Sequence, residues 1–203
     1  DGFIVANGWV SGTSDKTFSG AGMRNINVSP TIRNCTFKDN RAVASGSGGA
    51  MLNMGELAGP IIMNCRFSDN VAGKAGGAMY NWHKTDSPTN IIVLDCDFIQ
   101  NDAGTGAGGA MVNENRASTL VEDSRFLGNV ARQAMAIYNN GPADHLIRRC
   151  TFAANVAGNS GGSVKNYIGS RVTIEDSIFS GNRGGVHGGG IFNDHRSMSS
   201  TAI

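Results

Sequence analysis

Four cysteines, four histidines and sixteen carboxylates are the residue types from which catalytic or metal chemistry could be assembled. Spacing decides how much of it is available. Cys35, Cys65, Cys96 and Cys150 each stand two residues before a phenylalanine, a position held elsewhere by Ser124 and Ser177. No Cys-x-x-Cys occurs and no histidine lies at ligand spacing, so no metal site is expected. A column that exchanges cysteine for serine reads as a small inward slot, and buried free thiols follow. Cys35, Cys65 and Cys96 would lie within Cα reach of a disulfide on adjacent rungs, but parallel side-chain directions oppose the near-right-angle S–S torsion.

His83, His145, His187 and His195 share no column and are expected in exposed turns. Serine, histidine and aspartate show no triad arrangement, and no nucleophile elbow is expected. The acids Asp86, Asp95, Glu114, Asp123, Asp144 and Asp176 are scattered. A glycosidase pair, or calcium ligands beside an arginine base, would need acids clustered on one face. Instead Glu122, Arg148 and Glu175 recur at one position, and Arg66, Asp97 and Arg125 at another, as alternating-sign ladders. One segment gathers aromatic, cationic and acidic groups: Trp82, His83, Lys84 and Asp86 form the expected ligand-binding loop. Tyr80, Val112 and Tyr138 make a second outward file, either adhesive or partly covered by a loop.

The elements that position these residues come from a repeat. An apolar residue stands two before asparagine at Met23/Asn25, Met51/Asn53, Met79/Asn81, Met111/Asn113, Ile137/Asn139, Val164/Asn166 and Ile191/Asn193. From Asn25 to Asn193 this column advances 168 residues in six steps, a mean of 28. A Phe-x-x-Asn column runs in phase: Phe37/Asn40, Phe67/Asn70, Phe98/Asn101, Phe126/Asn129, Phe152/Asn155 and Phe179/Asn182. Each unit holds short runs of period-2 alternation and no helical apolar stripe, so it reads as strands and turns. Such a unit cannot bury its own apolar face and must stack on its copies. The fold expected is all-β, a parallel β-solenoid of roughly seven coils in one domain over 1–203.

Punctuation agrees. Pro30, Pro60, Pro88 and Pro142 follow the asparagine column, where a residue without an N–H does least harm to a ladder. Glycine pairs at 48–49, 76–77, 108–109, 161–162 and 188–189 mark another turn, and in the fifth coil Ala134-Met135-Ala136 predicts a tighter or bulged corner. The phenylalanines and cysteines are assigned to the core. The asparagines are assigned to corners, as left-handed residues whose amides stack along the ladder.

The Gly-Gly-Ala-apolar motifs at 48–51, 76–79 and 108–111, with the Phe-x-x-Asn motifs, resemble the repeats of chlamydial polymorphic outer-membrane proteins. They also resemble the wider class of bacterial right-handed β-helix repeat proteins, as do Asp1–Val5 and Ser29–Phe37. The resemblance implies a right-handed single-stranded helix, a secreted or cell-surface location, and a passenger or adhesin role.

A net charge of +1 argues against nucleic acid as a partner, and no apolar run is long enough for direct membrane insertion. No basic leader opens the chain, and neither end reads as capped, so a segment of a longer chain is expected, with end-to-end self-association into filaments as one outcome. The expected function is a structural or adhesive module that contacts a protein or glycan of a host or neighbouring cell. The alternative is a polysaccharide lyase or glycoside hydrolase, the one case in which calcium would be a cofactor; otherwise none is expected.

Overall fold

A computed structural model of the protein describes residues 1–12, 19–85, 90–194 and 200–202. Asp86, Pro88, His195 and residues 197–199 of the closing run lie outside these residues.

One coil from mid-stack explains the repeat. The strand Ile61–Met63 ends at Asn64, whose φ of 48° turns the chain through the left-handed region. Cys65 then points inward and the strand Arg66–Ser68 follows. Asp69, with φ 56°, makes the next corner and delivers Asn70 to the interior. The short strand Val71–Ala72, a turn at Gly76-Gly77 and the strand Met79–His83 complete the circuit before Ile91–Leu94 opens the next.

Every strand pairing is parallel, and three sheets each stack seven strands. Register is residue for residue. Phe37, Phe67, Phe98, Phe126, Phe152 and Phe179 align in one sheet. Asn25, Asn53, Asn81, Asn113, Asn139, Asn166 and Asn193 align in a second. Ile32, Ile62, Val93, Val121, Ile147 and Ile174 align in the third. We call these the phenylalanine, asparagine and aliphatic sheets. The solenoid has about 6 turns at a spacing of about 28 residues. In the fifth coil, the ladder between Val130–Gln133 and Val156–Ser160 slips, with one extra residue on the second strand. Ala134 there adopts φ 53°, close to the 65° of Gly108 one coil earlier, at a cost of roughly 1–2 kcal/mol for a residue with a Cβ.

Inside, the six phenylalanine rings form a continuous pile with centroids 4.7–4.9 Å apart and planes within 8° of parallel. That separation is the strand spacing itself, so the backbone ladder sets the ring stack. The cysteine column is more than a space-filler. The amide of Cys35 donates to Cys65 Sγ and that of Cys65 to Cys96 Sγ, both at 3.4 Å. The amides of Cys96 and Cys150 donate to Ser124 and Ser177 Oγ at 3.1 Å. Sulfur and hydroxyl do the same job, which is why the residues interchange. All four thiols are free and buried, and burial pushes Cys150 up to about 11.

The two asparagine columns differ from the sequence expectation. Neither set is left-handed. The left-handed residues precede the Phe-x-x-Asn asparagines or the cysteine and serine column: Asn34, Asn64, Asp95 and Asp123 at one corner, Asp39, Asp69, Gln100 and Ala154 at the other. Asn40, Asn70, Asn101, Asn129 and Asn155 turn inward at the corner and are fully buried, while Asn182 on the last rung is half-buried. The second column, Asn81 among it, occupies no corner. From Asn25 to Asn166 it lies mid-strand, facing the core, with each Nδ2 donating to the next Oδ1 at 2.7–2.9 Å, the last to Asn193 at the strand end.

Candidate functional site

Alternation along Met79–His83 decides what the expected ligand loop can do. Met79, Asn81 and His83 face inward, while Tyr80 and Trp82 face outward. Trp82 and His83 therefore belong to a strand, on opposite sides of it, and are not brought together. Lys84 is exposed beyond the strand end, and Asp86 lies outside the described residues.

His83 and His145 correct the expectation of exposed turns: both are buried. His83 Nε2 donates to the Ala58 carbonyl at 3.0 Å. His145 Nδ1 lies 2.9 Å from Thr119 Oγ1, which also receives Asn113 Nδ2 at 3.4 Å. His145 Nδ1 and Thr119 Oγ1 share this one hydrogen bond, and the buried Nε2 has no partner. Burial lowers both imidazoles, His145 from 6.5 to about 3. Folding depresses the proton affinity, so the unfolded chain takes up the proton first. The contribution of neutral His145 is complete above about pH 6.5 and is lost as pH falls toward 3, by about 2 kcal/mol at pH 5. Urea unfolding at pH 7 and pH 5 should show that loss, reduced in His145→Gln; equal stability at both values would contradict it.

The outer face of the asparagine sheet is partly roofed. Ser47, Ala75, Ala107 and Gln133 bridge from coil to coil and carry a turn over it. Gly76 takes φ 63° there, and a Cβ would lie 2.1 Å from the Met79 carbonyl oxygen, so only glycine fits. Under this roof Leu52 and Val112 are buried, whereas Tyr80 and Tyr138 are half-buried. The file Tyr80, Val112, Tyr138 is thus interrupted at its middle. On either side of that interruption the face opens into two grooves.

The first groove, about 330 Å³, is lined by Leu52, Met54, Lys74, Tyr80, Trp82 and Glu114. Tyr80 Oη donates to Glu114 Oε2, and Asn140 Nδ2 donates to Glu114 Oε1 at 3.3 Å. The second, about 360 Å³, lies over the last three coils, with Lys165 between Tyr138, Tyr167 and Phe192. Sequence reasoning missed Lys165. The signal was its column, where most coils carry an apolar or aromatic residue.

A third groove, about 450 Å³, follows the corner beside the phenylalanine sheet. Of its three acids, Asp95, Asp97 and Asp123, the last two are paired with arginines. Asp97 accepts both Nε and Nη2 of Arg125 at 2.7 Å and approaches Arg66 at 3.8 Å. Asp123 takes Arg149, and Glu122 takes Arg148 and Arg149. These are surface pairs of small individual worth. Among the described residues, no group of three or more histidines, cysteines and acids is placed to hold a metal ion.

One spacing corrects the sequence reading: Gly158-Asn159-Ser160-Gly161-Gly162 does fit Gly-x-Ser-x-Gly. Ser160, however, closes the strand Val156–Ser160 and no helix follows it, so the strained strand-to-helix elbow is missing. Its Oγ receives Lys165 Nζ at 3.1 Å.

Among families of known proteins, the Chlamydia polymorphic membrane protein (Chlamydia_PMP) repeat matches residues 176–194. The matched stretch carries Phe179-x-x-Asn182 and the glycine run leading to Ile191 and Asn193, the two motifs whose copies build every coil. No curated protein and no solved structure matches the chain. The chain is therefore a parallel β-solenoid, one turn of which is similar to a Chlamydia polymorphic membrane protein repeat.

Proposed function

We propose that this chain is a secreted or cell-surface β-solenoid acting as a structural and adhesive module, and that the outer face of the asparagine sheet makes the contact. The observation that carries this reading is the groove at Tyr80 and Trp82. Phenylalanines, cysteines and both asparagine columns are consumed by the scaffold, and Asp97 and Asp123 of the corner groove are consumed by arginines. Trp82 and Tyr80 are held half-buried by a roofing turn and present aromatic faces beside Lys74 and Glu114. Aromatic faces flanked by charge suit either a glycan or a protein side chain on a host or neighbouring cell. The similarity of one coil to a chlamydial membrane-protein repeat supports the surface location.

Binding of the labelled chain to intact cells and to a glycan panel tests the proposal. Trp82→Ala should reduce binding about tenfold, as truncation of an anchoring tryptophan does. Its melting temperature should fall by only a few degrees, because the ring is half-buried on the outward side of its strand and lies outside the core. Undiminished binding by that variant would overturn the reading.

A further inference from the structure

We infer that the outer face of the aliphatic sheet is a self-association surface, on which a second copy of this chain docks face to face with its stack reversed. A strand with one face in water alternates apolar and polar residues, whereas one covered on both faces reads as a continuous apolar run. The phenylalanine sheet follows the first rule: its outward column Thr36, Arg66, Asp97, Arg125 and Thr151 is polar. The aliphatic sheet follows the second. Its central strands read Ile61-Ile62-Met63 and Ile91-Ile92-Val93-Leu94. Ile62, Ile91 and Val93 fill the core, while Ile61, Met63, Ile92 and Leu94 face outward and are only half-buried. Coil register continues the file to Leu120 and Leu146, so six large apolar side chains adjoin on one flat face. The core does not use them, and a contiguous outward patch of this kind marks a surface that another molecule covers.

The order of residues up the face identifies the partner. One outward column reads Thr31, Ile61, Ile92, Leu120, Leu146, Thr173, and has the same character in either direction. A two-fold axis along the strands, between the coils of Ile92 and Leu120, sets Ile92 against Leu120 of the second copy. It also sets Ile61 against Leu146 and Thr31 against Thr173, so the patch is its own complement. The neighbouring column starts at Arg33 and reaches Glu175, both exposed. The same axis brings Arg33 of each copy to Glu175 of the other, one such pair at either rim. Arg33 is otherwise held by an exposed pair with Asp1 at 3.1 Å, which is of small worth and leaves the side chain able to serve both carboxylates. Between the rims, Glu122 and Arg148 are bonded to each other at 2.7 Å and lay their stems toward Leu94 and Met63 of the second copy. Six coils at ~4.8 Å and strands about 16 Å wide present roughly 450 Å² per copy. A standard interface takes roughly 800 Å² from each partner, so the dimer is a weak one, with Kd on the order of 10–100 µM.

Sedimentation equilibrium of the intact chain, at concentrations from well below to well above that constant, tests the assignment. The mass should rise from that of one chain to that of two. Ile92→Thr with Leu120→Thr places at the centre of the face the residue its own column carries at Thr31 and Thr173. That variant should associate at least about tenfold more weakly, with an unchanged circular dichroism spectrum. Arg33→Glu should weaken association about threefold, and Arg33→Glu with Glu175→Arg should restore it. The rim swap alters exposed residues alone, so it reads the arrangement even where the threonine pair perturbs the fold. A chain that stays monomeric throughout would overturn the second copy as occupant, even if the face captured a different protein. Undiminished association in the threonine variant would overturn the surface, and a swap without recovery would overturn the reversed stack. The asparagine-sheet groove stays uncovered on each copy, so these results stand apart from whether Trp82 contacts a cell.

Discussion

Replacing Asn101 by leucine should cost the fold about 4 kcal/mol, although the two side chains are similar in size. The carboxamide of Asn101 uses its full bonding capacity. Oδ1 accepts from the amide N and Nδ2 of Asn70 at 3.1 and 2.9 Å, and Nδ2 donates to the Phe67 carbonyl and Asn129 Oδ1 at 3.0 Å. Leucine removes all four bonds. Two donors on Asn70 lose their acceptors in a fully buried site, and the Phe67 carbonyl loses a donor. Each orphaned group costs roughly 1–3 kcal/mol, so the sum lies well above the worth of the bonds themselves. Asn129 Oδ1 keeps the Asn101 backbone amide at 3.0 Å, which limits the damage on that side. Asn182→Leu is the internal comparison. Its residue is half-buried at the last rung, where water replaces lost partners, and the cost should be less than half as large. Urea unfolding of both variants measures the difference; a loss below about 1 kcal/mol in Asn101→Leu would contradict the ladder's role.

Phe98→Ala should cost about 3–5 kcal/mol. Its ring lies 4.8 Å from Phe67 on one side and 4.8 Å from Phe126 on the other, nearly parallel to both, and is wholly buried. Alanine leaves a ring-shaped gap that the neighbours cannot close. Their spacing is set by the backbone ladders above and below, and moving together would break the registered pairs Phe98–Phe67 and Phe98–Phe126. Leucine keeps apolar volume but gives up the stacking, so Phe98→Leu should fall between, losing about 1–2 kcal/mol. Thermal and urea unfolding test the series, and a negligible loss in Phe98→Ala would remove the phenylalanine pile from the core.

What the sequence made legible was whatever recurs in phase. A column of Phe-x-x-Asn and a column of apolar-x-Asn, both advancing with the coil, define a stacked strand without reference to any side-chain contact. Direction within the coil was legible only where alternation was followed to its end. Met79 and Asn81 lie inward, and two residues on, the same period takes His83 inward and leaves Trp82 outside; reading 82–86 as a loop interrupted that count. The asparagines were misplaced for a different reason. Asparagine favours both left-handed corners and buried amide ladders, and composition cannot separate the two. The corner itself falls to residues such as Asp69 and Gln100, which lack an invariant type because only their backbone is required to turn. His145 lay beyond sequence reasoning, since its partner Thr119 is 26 residues away and aligns with it only through coil register. Lys165 was visible as a departure from its column, but the departure has meaning only once coil register places its aromatic neighbours around it.

Hydroxyl-radical footprinting of the chain, free and held on the polysaccharide or cell-surface fraction that retains it, tests the central claim most directly. Tyrosine and tryptophan side chains report their own exposure in this measurement. The account predicts protection at Tyr80, Trp82, Tyr138 and Tyr167 on the outer face of the asparagine sheet. Trp9, which is 63% exposed on the narrow ladder of another face, should oxidise equally in both states. Protection of Trp9 with Tyr80 and Trp82 unchanged would contradict it.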